Sequence, residues 1–206
     1  MSRRSLRIPS VGVPKYSMKF WTIPTIMTWT RIMAIPLIVG VFYIDIPAAE
    51  RNLAATVMFV VFAATDWLDG YLARKLNQTS AFGAFLDPVA DKFLVCAALL
   101  VLVHLQRADV FVALIIIGRE IAVSALREWM AMIGATKSVA VHMLGKLKTV
   151  VQMTAISFLL YDGTLFGLVN THVWGTWLIW ISAILTVWSM VYYLKKAIPE
   201  IRARAK

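Results

Sequence analysis

The sequence predicts an all-α integral membrane protein of six transmembrane helices behind an N-terminal interfacial segment. Of 206 residues, 60% are apolar and only 16% are charged, a balance foreign to soluble domains. Several apolar stretches reach the ~20 residues that a helix needs to cross a bilayer. Ten-residue alternating segments of the outer-membrane barrel type do not occur in the chain.

Residues 1–22 form the interfacial segment, with Arg3, Arg4, Arg7, Lys15 and Lys19 ahead of Trp21. Its opening carries the paired arginines of an export signal. Pro9, Gly12 and Pro14 stand where such a signal needs its apolar core. Residues 23–206 then read as one helical domain, with spans at 23–44, 53–76, 84–105, 110–133, 143–161 and 173–196. The links are short, and no Pro/Ser/Gly-rich linker divides the chain.

Charge sets the orientation. With the N-terminus in the cytoplasm, that side collects both basic ends together with Arg74, Lys75 and Lys137. The opposite loops hold Arg51 and Arg107 beside Asp45, Glu50, Asp109 and Asp162. The positive-inside rule therefore puts both termini in the cytoplasm. The net charge of +10 is concentrated at the chain ends, where it meets anionic lipid headgroups rather than nucleic acid. Trp174 and Trp177 at one end of the last span, and Tyr192 and Tyr193 at the other, read as interfacial anchors. Cys96 is the only cysteine and makes no intrachain disulfide. Asn77-Gln78-Thr79 has the form of a glycosylation site but falls on the cytoplasmic side.

Charges within spans carry the functional signal. Asp66 and Asp69 lie in the second span, Asp87 and Asp91 in the third. An ionised Asp facing lipid costs roughly 2.5–3.5 kcal/mol even on lenient scales, so these four face a polar interior. Asp66, Asp69, Gly70 and Ala73 share one helix face by their i, i+3, i+4, i+7 spacing, as do Gly83, Asp87 and Asp91 at i, i+4, i+8. A short link makes the two spans antiparallel neighbours. Four adjacent carboxylates need neutralising, by protons or by two divalent cations. An all-oxygen set without His or Cys favours Mg²⁺ or Mn²⁺ over zinc. Gly70, Ala73 and Gly83 leave room for a phosphate, and Arg74 stands beside that face, placed to pair with it. Salt bridges to Arg74, Lys75 and Lys92 account for one or two of the acids, hardly for four.

Taken together, Asp66-x2-Asp69-Gly70-x2-Ala73-Arg74-x8-Gly83-x3-Asp87-x3-Asp91 resembles, without departure, the signature of the CDP-alcohol phosphatidyltransferase family. Gly118-Arg119-Glu120-Ile121, Ser124 to Trp129 and Gly145 to Thr149 are similar to the bacterial branch that uses sn-glycerol 3-phosphate as acceptor. The opening Ile23-Pro24-Thr25-Ile26-Met27-Thr28-Trp29-Thr30-Arg31 resembles the family's Pro-Asn-x-Leu-Thr-x-x-Arg. Here Thr25 stands for the usual Asn and Met27 for Leu.

The resemblance implies six transmembrane helices in the bacterial cytoplasmic membrane, paired as a homodimer, with an active site open to the cytoplasm. It also implies a dinuclear Mg²⁺ or Mn²⁺ centre on Asp66, Asp69, Asp87 and Asp91, with Asp91 activating the acceptor hydroxyl. Thr28, Arg31, Asp69, Gly70, Ala73, Arg74 and Gly83 would contact CDP-diacylglycerol. Arg119, Arg127, Lys146 and Lys148 would bind the phosphate of sn-glycerol 3-phosphate. Buried arginines in a span cost too much to be ornamental, although pairing with Glu120 or Glu128 and snorkelling to the headgroups are their structural alternatives. Within the family, inositol phosphate, serine and phosphatidylglycerol are the competing acceptors. Outside it, a cation transporter also places carboxylates in spans, but usually with internal repeats or broken helices in matching halves. The aspartates here gather toward one membrane face.

Overall fold

The computed structural model describes residues 23–76, 81–132 and 143–204. The expected interfacial segment, 1–22, lies outside the described residues. The described chain forms α1 (Ile23–Val41), α2 (Ala48–Leu76), α3 (Ala81–His104), α4 (Val110–Met132), α5 (Met143–Tyr161) and α6 (Thr171–Arg204). A two-stranded antiparallel ladder, β1 (Thr164–Leu165) with β2 (Val169–Asn170), joins α5 to α6.

Local chemistry marks the helix ends. Asp109 Oδ1 accepts from the backbone N–H groups of Phe111 and Val112 at 2.8 and 3.3 Å, capping α4. Asn170 Oδ1 likewise accepts from Val173 N–H at 3.2 Å as α6 begins. At the end of α3, Gln106 takes φ 58° and Arg107 N–H reaches Leu102 O at 2.8 Å, the closure of a Schellman turn. Phe166 and Gly167, at φ 51° and 70°, turn the small hairpin.

Two helices outrun their expected spans. At α2, Arg51 N–H bonds Pro47 O at 3.0 Å and Glu50 sits in the first turn, where a carboxylate suits the helix dipole. Polar residues there extend the helix beyond the apolar run. At α6 the apolar run ends at Lys196, but Ala197 is fully buried with Tyr193, Val123 and Met130, and this packing continues the helix to Arg204. At α1 the helix stops at Val41, and residues 42–44 form turns that bond back to Val39, Gly40 and Val41.

The broadest helix seam joins α5 to α6, α1 packs on α3 and α2, and α4 packs on α6. Where α5 meets α6, a Cβ at Gly175 would lie 2.8 Å from Leu159 Cγ. A central core draws on all six helices, with Ile38, Phe59, Leu99, Ile116, Leu159 and Ile179 buried within it. The exterior is as apolar as the core. Met33, Leu100, Leu114, Val150, Ile184 and Trp188 are each more than three-fifths exposed. Apolar faces of that extent on every side are foreign to water-soluble monomers and belong against lipid. Among the described residues, Ala48–Thr65 of α2 and Thr171–Pro199 of α6 are long and apolar enough to cross a membrane. Thr28–Val41 and Leu147–Tyr161 are shorter apolar runs.

One end of the bundle is tied by Arg107. Its Nη1 donates to Leu160 O at 3.0 Å and Leu159 O at 3.3 Å, and its Nη2 to Asn52 Oδ1 at 3.1 Å. Its Nε pairs with Asp162 at 3.0 Å, and Asp162 meets His172 Nδ1 at 2.8 Å. The α3–α4 turn is thereby fastened to the ends of α2, α5 and α6. Burial lowers the Arg107 pKa from its ordinary value, an effect that Asp162 opposes.

Candidate active site

The candidate positions fall toward the opposite end of the bundle, except Arg119, which sits near the middle of α4. At that end α1, α3 and α5 begin and α2, α4 and α6 end. At 1.5 Å per residue, Arg31 lies about 12 Å along α1 and Asp91 about 15 Å along α3. Lys148 is about 8 Å into α5, while Arg119 is about 20 Å back from the end of α4. These depths suit polar groups reached from one membrane face.

Asp66, Asp69, Gly70, Ala73 and Arg74 are on helical backbone in α2, Gly83 and Asp87 in α3, and Lys146 in α5. Their side chains lie outside the described residues. Asp91 is described. It shares a small enclosed cavity of about 50 Å³ with Lys92, Glu120, Lys148, Thr149 and Gln152, where α3, α4 and α5 meet.

Behind that cavity runs a chain of buried charges. Lys148 is 2% exposed and Arg119 7%. Lys148 Nζ donates to Glu120 Oε1, and the same oxygen lies 3.5 Å from Arg119 Nη1. Arg119 Nη2 donates to Ser189 Oγ at 2.8 Å, and the Ser189 hydroxyl in turn donates to Thr186 O at 2.9 Å. The guanidinium also stands 5.9 Å from the Tyr193 ring. Among the described residues, Arg119 Nε and Thr186 Oγ1 meet no hydrogen-bond partner. Orphaned polar atoms this deep are costly and mark a place for a polar ligand or water.

The remaining candidates are dispersed. Thr28 and Arg31, three residues apart on α1, are both fully buried on the side away from exposed Ile26, Met33 and Leu37. Arg127 is exposed and lies over the other neighbour it shares with Arg119, the Tyr193 ring, at 5.4 Å; it is not on the wall with Asp91. Glu120 was legible in the sequence only as a neighbour of Arg119. Its bond to Lys148 spans α4 and α5, which spacing along one helix does not reveal.

The donor chemistry fits divalent metal. Asp66 and Asp69 on α2, with Asp87 and Asp91 on α3, offer only hard oxygen ligands, as Mg²⁺ or Mn²⁺ prefers. A carboxylate directed into a cavity beside buried cations is also placed to accept a proton from a bound alcohol.

Comparison with known proteins agrees with this chemistry. The family model for CDP-alcohol phosphatidyltransferase matches residues 21–188. Proteins named CDP-diacylglycerol–glycerol-3-phosphate 3-phosphatidyltransferase from Escherichia coli (strain K12), Shigella flexneri serotype 5b (strain 8401) and Shigella sonnei (strain Ss046) are each 46% identical to this chain over 183 residues. The matched region covers 86% of this chain and 95% of each relative. With a family model over most of its length and relatives matched almost end to end, the chain belongs to the CDP-alcohol phosphatidyltransferase family.

Proposed function

We propose that the protein transfers the phosphatidyl group of CDP-diacylglycerol to sn-glycerol 3-phosphate, releasing CMP and forming phosphatidylglycerol phosphate. The observation that carries this reading is the placement of Arg119 and Lys148, two buried cations on α4 and α5 linked through Glu120, with Lys148 on the wall it shares with Asp91. An acceptor that is itself a phosphate ester needs such cations, which favours sn-glycerol 3-phosphate or inositol phosphate over serine. The names of the relatives point to glycerol 3-phosphate.

In this reading Asp91 takes the proton from the C1 hydroxyl of the acceptor as that oxygen attacks the lipid-side phosphorus. The bond from that phosphorus to the CMP oxygen breaks, and CMP departs. Arg119, Lys148, Lys146 and Arg127 supply the positive field that orients the acceptor phosphate. Thr28, Arg31, Asp69, Gly70, Ala73, Arg74 and Gly83 shape the site for the cytidine diphosphate head, while the acyl chains stay in lipid. Asp66, Asp69, Asp87 and Asp91 would hold two divalent cations, Mg²⁺ or Mn²⁺, which neutralise diphosphate charge when bound.

The architecture that goes with this is a single catalytic domain, 23–206, of six spans behind an interfacial segment, 1–22. Both termini and the active site face the cytoplasm of a bacterial inner membrane, and the enzyme works as a homodimer. The exposed apolar faces support insertion in lipid, and the basic chain ends support the orientation.

The test is an acceptor panel. Purified protein is given CDP-diacylglycerol and a divalent cation with sn-glycerol 3-phosphate, inositol phosphate, serine or phosphatidylglycerol, and CMP is measured. Release dependent on sn-glycerol 3-phosphate is expected. Faster turnover of any other acceptor would overturn the assignment.

A further inference from the structure

Two cations buried within a few ångströms of each other repel, and lipid or protein around them screens little. Arg119 and Lys148 tolerate this because both meet Glu120. Its carboxylate accepts from Lys148 Nζ and lies 3.5 Å from Arg119 Nη1. The three charges sum to +1 rather than +2. The proposed reaction assigns no step to Glu120, whose carboxylate is not a donor to phosphate. It nonetheless occupies the point at which both cations converge, and it lines the cavity that holds Asp91.

From that position we infer that Glu120 is the resident counter-ion of the acceptor pocket, one that weakens the hold of the two cations on any entering anion. This deepens the proposed function and rests on it. Entry of any tetrahedral dianion weakens the two contacts that Glu120 already makes. sn-Glycerol 3-phosphate offsets that loss with further contacts, because its hydroxyl reaches the Asp91 side of the cavity. Sulfate has no such group and gains only the residual +1. Glu120 lowers the affinity for both anions alike, and the extra hydroxyl contact decides which of them still occupies the pocket. The same carboxylate also fixes Lys148, whose flexible stem would otherwise leave its ammonium free to wander.

The inference predicts how the pocket answers to an anion with no hydroxyl. In the wild type, sulfate should inhibit weakly against sn-glycerol 3-phosphate when compared with chloride at equal ionic strength. Glu120→Gln keeps the side-chain shape and raises the local charge to +2. Its competitive inhibition constant for sulfate should fall about tenfold or more, the change that ~1.4 kcal/mol of binding produces. Glu120→Asp restores the charge and should bring the constant most of the way back, a rescue that a purely structural role does not require. An inhibition constant in Glu120→Gln equal to or above that of the wild type overturns the inference.

If Glu120→Gln does not fold, the same effect is read between Lys148→Gln and Glu120→Gln/Lys148→Gln, which leave fewer charges unpaired. Calorimetric titration with sulfate should show tighter binding to the double variant than to the single one. Equal or weaker binding overturns the inference. Failure here is separable from failure of the proposed function. If Arg119→Ala leaves the acceptor KM unchanged, the pocket itself is misassigned. If that KM rises while sulfate ignores Glu120, only the counter-ion role is lost.

Discussion

Replacing Arg119 by Ala puts the acceptor site under direct strain. The guanidinium is 7% exposed, with one nitrogen held by Ser189 at 2.8 Å and another 3.5 Å from Glu120. Its Nε meets no partner among the described residues. It is therefore pre-set, and little ordering remains to be done when phosphate arrives. A hydrogen bond to a charged group contributes ~1.5–3 kcal/mol. Losing one or two such contacts, partly replaced by water in the vacated space, corresponds to about 2–4 kcal/mol. At ~1.4 kcal/mol per factor of ten, KM for sn-glycerol 3-phosphate should rise roughly 30- to 1,000-fold.

The assay is steady-state CMP release with each substrate varied in turn, on protein whose fold has been checked by its helical circular dichroism. KM for CDP-diacylglycerol should stay near the wild-type value, because Arg119 serves the other substrate. Arg119→Lys keeps the charge without the planar fork and should fall between the two. An acceptor KM within about twofold of wild type in folded Arg119→Ala would refute the reasoning, since a contact worth even 1 kcal/mol exceeds that.

Three further outcomes are expected. Asp91→Asn should leave the protein folded and inserted while cutting CMP release by about 10²–10⁴-fold, the usual range for a lost general base; wild-type turnover would remove Asp91 from the mechanism. Arg107→Ala should lower stability by about 2–4 kcal/mol, because Asn52 and two α5 carbonyls lose their donor and Asp162 keeps only His172, with both KM values unchanged; a melting temperature equal to wild type in detergent would contradict this. Gly175→Ala should cost about 1–3 kcal/mol through overpacking against Leu159, and a stabilised variant would show that the α5–α6 seam yields more easily than its spacing suggests.

Much of the fold was readable because lipid imposes one simple rule, that spans must be long and apolar. For α5 the expected limits coincide with the observed Met143–Tyr161. The rule fails where helix outlasts the apolar run. Glu50, Arg51 and Asn52 look like a polar link, yet they form the first turns of α2. The segment after Lys196 looks like a tail, yet Ala197 packs into a second small core. The β1–β2 hairpin was also missed, since two-residue strands have too little pattern to register, although Gly167 at φ 70° is the kind of residue its turn demands. At the site, the spacing of the acids could be read along single helices. What joins Glu120 to Lys148, Arg119 to Ser189 and Arg127 to Tyr193 is the meeting of different helices, and a linear pattern carries no record of it.

The Arg107 clasp has a consequence for motion. With the α3–α4 turn bound to the ends of α2, α5 and α6 on that face, the helices share a fixed base, so any parting of the bundle hinges there and opens widest at the far end.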